Sequence, residues 1–307
     1  MARQLLIHIG YHKTATSWLQ SRVFTSENGY AQLASHQQVD TEILRPHPLV
    51  FTPASASERI AERLASCPSD SAAVISSEIL SGHPFYGGYE SVETARRLKL
   101  IAPDACILIT IRNQLRLLPS LYMQYLRRGG TLRPATFFDG TTEPGYRGFD
   151  PVHFDYNLLI SHYRETFGAE NVHVVTQESL ASARDETLAE LAEFAGNKQW
   201  KPLERYSAKP VAVSYPEGAA FLFRRINSLQ KSTLNPEPVL SLGTTPFGLY
   251  RAVGYLARKA PFRTFIGRGT PVRSHVETRF AGRFAEGNRA LARMYPSLDL
   301  TGYDGIA

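Results

Sequence analysis

Residues 12–17, His12-Lys13-Thr14-Ala15-Thr16-Ser17, hold one lysine, one histidine and three hydroxyls, with no carboxylate among them. That set suits an anion. Before it runs Leu5-Leu6-Ile7-His8-Ile9, short and β-branched enough for a buried strand, ended by Gly10. After it Trp18, Leu19, Arg22 and Val23 are spaced for one face of a helix. A strand that feeds such a turn into a helix N-terminus presents free backbone N–H groups and the positive end of the helix dipole. Lys13 adds a full charge. The plainer alternative is a strand, a turn and a helix capped by Thr14 or Thr16, with Lys13 solvated. A Walker A loop is excluded, because G-x-x-x-x-G-K-[ST] needs glycine where His12 stands.

A second constellation lies in ITIRNQLRLLPSLYMQYL, residues 109–126. Arg112 ends an apolar run and Ser120 follows eight residues later, about two helical turns on. A guanidinium offers a planar fork to a phosphate, and a serine hydroxyl completes the cup. The alternative is that Arg112 pairs with a nearby carboxylate and Ser120 is an ordinary helix-surface residue.

Lys13-Thr14-Ala15-Thr16-Ser17-Trp18 resembles the K-[ST]-G-T-[ST]-W loop of sulfotransferases that use 3′-phosphoadenosine 5′-phosphosulfate (PAPS). The Arg112 and Ser120 pair is similar to that family's second motif. The resemblance covers about 5–20 and 105–125, and is diffuse elsewhere up to about 195. It implies a P-loop NTPase-like fold, and a cofactor site in which Lys13, Thr14, Ala15, Thr16 and Ser17 cradle the 5′-phosphosulfate. It further implies that Arg112 and Ser120 hold the 3′-phosphate and Trp18 stacks on adenine; Trp18 serves equally well as core of the first helix. Ala15 departs from the family's glycine. Glycine there would permit positive φ or a close approach, whereas alanine costs little where φ is negative.

The implied reaction is in-line sulfuryl transfer to a hydroxyl or amine of a small-molecule or carbohydrate acceptor. Positioning and electrostatics carry most of such a step. Lys13 would stabilise the leaving phosphate. Glu78, after the run Ala72–Ser77, sits where carbohydrate-type members keep a glutamate base; His12 is the second candidate and His83 the third. Glu78 read blandly caps the next segment or pairs with an arginine. The basic loop Gly267–Ser274 supplies Arg268 and Arg273, read as solvated unless they reach the 3′-phosphate as late basic loops of the family do. Acceptor contacts are expected from 26–53, 80–90, 129–151 and the C-terminal third, with Tyr86, Tyr89, Arg133, Tyr146 and Arg147 suiting a polar acceptor. No metal-ligand spacing is present and none is needed.

The elements that must position these groups alternate strand and helix. Strands are expected at 5–9, 72–77, 106–111 and 172–176, and helices at 57–66 (capped by Ser57), 91–102, 114–128, 155–167 and 182–195. Residues 26–53 and 129–151 read as loops. The alternation predicts a three-layer α/β fold, a central parallel sheet with helices on both faces. From 196 onward helices at 216–230, 246–258 and 275–294 are expected to cover the site, within one domain spanning 1–307. The 307 residues carry a net charge of +6, with 43% hydrophobic residues and two cysteines, Cys67 and Cys106. The positive charge fits anionic ligands. With no transmembrane run or leader pattern, a cytoplasmic protein is expected. A nucleotide-dependent kinase of a small molecule and a non-enzymatic polyanion-binding module remain the competing classes. The first is opposed by the missing Walker glycine, the second by two phosphate motifs at strand ends; nucleic acid is not expected as a partner.

Overall fold

The computed structural model describes residues 4–140, 145–203, 215–259, 261–266 and 269–306. Five strands make one all-parallel sheet: β1 (Leu5–His8), β2 (Tyr30–Ala34), β3 (Ala72–Ser76), β4 (Cys106–Ile111) and β5 (Val172–Thr176), in the spatial order β2-β3-β1-β4-β5. Side chains alternate across a strand, so each run feeds two cores. Leu5, Ile7, Ile75, Ile107 and Ile109 join one cluster. Leu6, Val74, Cys106 and Leu108 join the other. Both faces are covered by helices, which is why the runs are apolar throughout rather than alternating.

Strand order decides where a ligand can sit. From β1 the chain moves outward to β2 and back to β3; it then crosses to β4 and continues outward to β5. The order reverses between β1 and β4, and their carboxyl ends open a crevice there. The loop with Lys13 leaves one side of that crevice and Arg112 the other.

Several expectations need correction. β2 lies inside the presumed loop 26–53; it is an edge strand with a register shift between Gln32 and Ala34, so its central glutamine is tolerated. The helix expected from Ser57 starts at Pro53 and runs to Ala65, since proline needs no partner for an N–H in the first turn. The loop 129–151 contains a helix, Pro134–Asp139, that buries Phe137 and Phe138. An unexpected helix, Gln177–Ser182, precedes Arg184–Phe194, which falls within two residues of the expected 182–195. The helix expected over 275–294 is two, Pro271–Arg279 and Ala285–Met294. Gly282 at φ 72 breaks it, and the Asp304 carboxylate accepts the N–H groups of Gly282 and Phe284.

The remaining helices, Ser91–Ile101, Gln114–Arg127 and Tyr156–Phe167, fall within a residue of expectation, with Pro119 inside the second. Helices Ala220–Leu229 and Leu249–Leu256 belong to the C-terminal third. Phe223, Tyr250, Val276, Phe284 and Leu291 from that third share the larger cluster with the sheet. Among the described residues no helix is long and apolar enough to cross a membrane, and no group of three or more His, Cys, Asp or Glu could hold a metal.

Candidate active site

The first loop is drawn close to β4. Beyond β1, the Ile9 N–H donates to Leu108 O and the Tyr11 N–H to Thr110 O, each at 3.0 Å. Lys13 and Ala15 then take φ of 69° and 68°, the two non-glycine residues with positive φ among those described. Each such residue costs roughly 1–2 kcal/mol, and strain of this kind persists only where its surroundings enforce it. The low-cost case for Ala15, a negative φ, is therefore not met. The position keeps the left-handed conformation that glycine would hold without strain.

Ala15 is itself the N-cap of the helix Thr16–Trp18, which continues as a π-helical turn over Leu19–Val23, and no side chain caps it. Neither Thr14 nor Thr16 fills that role. The Thr14 hydroxyl is turned inward; it donates to Tyr11 O and lies 2.8 Å from Thr110 Oγ1. Any part Thr14 plays in holding an anion falls to its backbone N–H. Thr16 Oγ1 is buried without a partner, and Ser17 is exposed.

Beneath the loop runs a chain of buried hydrogen bonds. His8 Nδ1 is 2.8 Å from Ser76 Oγ, and His8 Nε2 is 3.0 Å from Thr110 Oγ1. Proton counting fixes the direction. The Thr14 proton goes to Tyr11 O, so Thr110 donates to Thr14, His8 Nε2–H donates to Thr110, and Ser76 donates to Nδ1. One tautomer of a neutral His8 fits. Burial agrees, holding the His8 pKa down to about 3. The chain ties β3, β1, β4 and the loop together. Gly10 belongs to it sterically, since a Cβ there would collide with Thr110 Oγ1 and His8 Nε2.

Arg112 leaves the end of β4 half-buried. Its Nη1 lies 3.4 Å from Lys13 O and 3.5 Å from Ser120 Oγ, so the two motifs meet. The Tyr156 hydroxyl donates to Arg112 O at 2.6 Å. Asn113 caps the following helix, its amide Nδ2 reaches Gly302 O at 2.6 Å, and its N–H donates to Glu178 Oε1. Tyr303 donates to Glu178 Oε2 at 2.9 Å, so the end of the chain closes this side. Among the described residues no carboxylate forms an ion pair with Lys13 or Arg112. Burial lowers both pKa values; Arg112 and Arg127 add to this for Lys13, with Glu78 opposing, and Arg116 adds for Arg112, with Glu178 and Tyr156 opposing. Two half-buried, mutually repelling cations are relieved by a bound anion.

Trp18 stands between a core cluster and a cleft. One side packs with Ala15 against the smaller core cluster. It also lines, with Gln177, Leu180, Ser182 and Arg184, an open cleft of about 700 Å³, large enough for a nucleotide.

The base candidates stand on the other side of Lys13. Glu78 follows β3 and is partly exposed; Oε2 is 3.9 Å from His36 Nδ1, which lies 2.9 Å from Ser77 Oγ. The His12 ring is buried, with Nδ1 unpartnered, 6.2 Å from the His83 ring. Burial, then the neighbouring His83, His153 and His36 with Arg128, hold its pKa well below the usual histidine value, so it is neutral at pH 7. The His83 ring lies 4.8 Å from the half-exposed Tyr86 ring, tilted at 39°. Nearby, Arg147 lies over the Tyr89 ring at 4.2 Å and Tyr89 donates to Asp150. Arg133 and Tyr146 are exposed.

Arg268 lies outside the described residues. Arg273 is exposed on the first turn of its helix, its N–H donating to a Glu217 carboxylate oxygen at 2.9 Å, and it makes no hydrogen bond to Lys13, Arg112 or Ser120. Sequence reasoning missed His8, Thr110, Tyr156, Glu178 and Tyr303. The first two had a signal, a polar residue inside a buried apolar run; the others had none locally.

No family model matches the chain, and no curated protein matches it in sequence. Among solved structures it is similar to a sulfotransferase from Alicyclobacillus acidocaldarius, at 20% identity and a TM-score of 0.51, over 74% of this chain and 94% of that chain. A mouse sulfotransferase, SULT7A1, complexed with PAP, aligns at 13% identity and a TM-score of 0.41, over 97% of this chain and 90% of that one. The first likeness establishes the α/β fold.

Proposed function

We propose that this protein is a sulfotransferase that moves a sulfuryl group from PAPS to a hydroxyl or amine of a small-molecule or carbohydrate acceptor. The observation that carries the reading is the meeting of Lys13, Arg112 and Ser120 at the strand-order reversal, with no carboxylate among the described residues ion-paired to either cation. PAPS supplies a sulfuryl group on a phosphate leaving group, and the protein supplies the field and the geometry. Lys13 and the uncapped helix N-terminus face the leaving phosphate, where negative charge grows as the bridging S–O bond breaks. Arg112 and Ser120 hold the 3′-phosphate. The Trp18 cleft takes the adenine. Glu78 accepts the proton of the attacking hydroxyl; neutral His12, with an unpartnered ring nitrogen, is the second candidate. Residues 196–307 act as part of the same domain, closing the Arg112 side through Gly302 and Tyr303.

The test is an acceptor screen with sulfur-labelled PAPS, comparing wild type, Glu78→Gln and His12→Gln. Loss of a general base lowers kcat by ~10²–10⁴-fold. The expected result is label transfer to a hydroxyl or amine acceptor, with the larger loss in Glu78→Gln. Transfer of phosphate from ATP instead, or no label transfer to any acceptor, would overturn the reading.

A further inference from the structure

The helix Leu249–Leu256 has an inner face that packs and an outer face that breaks the usual rule. Tyr250 and Ala257 are fully buried and Gly254 is buried, so positions 250, 254 and 257 point inward. A solvent-facing helix normally turns charged and polar residues outward. Here the outward positions include Leu249, 47% exposed, Tyr255, 60%, and Leu256, 40%. Phe247 just before the helix is 61% exposed, and the short helix Phe262–Phe265 after it exposes Phe262 at 43% and Phe265 at 82%. Singly, exposed apolar residues mean little; gathered along one stretch of chain they mark an interaction surface.

The charges on this stretch have one sign. Arg251, Arg258, Lys259 and Arg263 are exposed among these apolar side chains, and the sequence holds no Asp or Glu from 238 to 276. Two of the cations lie on aromatic rings of the same region, Arg258 over Tyr215 and Lys259 over Tyr255. Such side chains can lay their methylene stems along apolar surface and keep the charge at an aqueous boundary. Apolar anchors, aromatic rings and cations on a stretch of sequence that carries no Asp or Glu are what an interfacial segment needs to lie on an anionic bilayer. A protein partner of ordinary composition would be met by mixed charge.

We propose that the surface formed by residues 247–259 and 261–265 docks this protein onto membranes rich in anionic phospholipid, in the plane of the headgroups and without crossing the bilayer. The inference is independent of the sulfuryl-transfer reading.

Flotation of the full chain with two vesicle types, phosphatidylcholine alone and phosphatidylcholine mixed with phosphatidylglycerol, tests it. The mixed vesicles are expected to bind the protein at least ~10-fold more strongly, with the difference shrinking at high salt. Leu249→Glu combined with Phe265→Glu should reduce binding to the mixed vesicles to the phosphatidylcholine level. Arg251→Gln combined with Arg263→Gln should remove most of the salt-sensitive part only. All four positions are exposed, so circular dichroism and binding of adenosine 3′,5′-bisphosphate should be unchanged in both variants. Equal binding to the two vesicle types, or a Leu249/Phe265 variant that binds as wild type does, would overturn the proposal. So would a wild type that ignores vesicles but sediments as a dimer dissociated by the same substitutions, which would make the surface an interface between copies of this chain.

Discussion

The two halves of the proposed anion site are built in opposite ways. On the β4 side, Arg112 and Ser120 are set by regular structure: a strand end, an Asn113 cap and two turns of helix. On the β1 side, Lys13 and Ala15 are held in left-handed conformations, over a buried chain from Ser76 through His8 and Thr110 to Thr14. The helical half needs little support beyond its own geometry. The strained half depends on residues that touch no ligand. Stability should therefore be concentrated under the β1 loop, and affinity should be divided between both sides.

The harshest way to break this contrast is Gly10→Ala. Its Cβ would displace Thr110 and His8, and overpacking a filled interior costs about 1–3 kcal/mol or more. Urea unfolding should show that loss, whereas Ser120→Ala should leave the unfolding free energy within ~0.5 kcal/mol of wild type.

His8→Ala comes next. It leaves the Ser76 and Thr110 hydroxyls without His8 and opens a cavity, for a loss of about 2–3 kcal/mol. It also carries a pH signature. The folded pKa of His8, about 3, lies below the unfolded value near 6.5, so the unfolded state binds more protons between them. Stability should fall as pH drops from about 6.5 toward 3, and the fall should be less steep in His8→Ala. His153, held down to about 4 by burial, contributes a separate slope in the same direction. Equal slopes in wild type and variant would contradict the buried neutral His8.

Ser120→Ala sharpens the other side. Removing one hydroxyl from a phosphate should weaken adenosine 3′,5′-bisphosphate by roughly 5–10-fold, about 1 kcal/mol, by calorimetry. The smallest effect is expected from Ala15→Gly, which relieves a φ of 68° and should raise stability by about 1 kcal/mol or less, visible as a small rise in Tm. A drop in Tm would mean that Ala15 is not strained.

This division also marks what the sequence discloses. Apolar runs identify β1, β3, β4 and β5 because strands buried on both faces need continuous hydrophobic residues. β2 escapes because an edge strand tolerates Gln32 and needs pairing on one side only. Arg112 and Ser120 are legible because helical spacing is regular. The backbone angles of Lys13 and Ala15 are not, since they are imposed by His8, Thr110 and Gly10 through a fold that must already exist. Tyr303 and Glu178 meet across 125 positions of chain, a pairing with no local trace. The cleft beside Trp18 likewise depends on the short helix Gln177–Ser182, which the sequence reading passes over, and on the break at Ala183 that follows it.

The most direct test of the account is calorimetric titration of adenosine 3′,5′-bisphosphate into wild type and Arg112→Ala, with AMP and ATP as comparisons. The account predicts micromolar binding to the wild type that neither AMP nor ATP matches. It also predicts a loss of at least ~10-fold in the variant, as expected for a charge-assisted bond worth about 1.5–3 kcal/mol. No binding to the wild type, or equal affinity in wild type and Arg112→Ala, would contradict it.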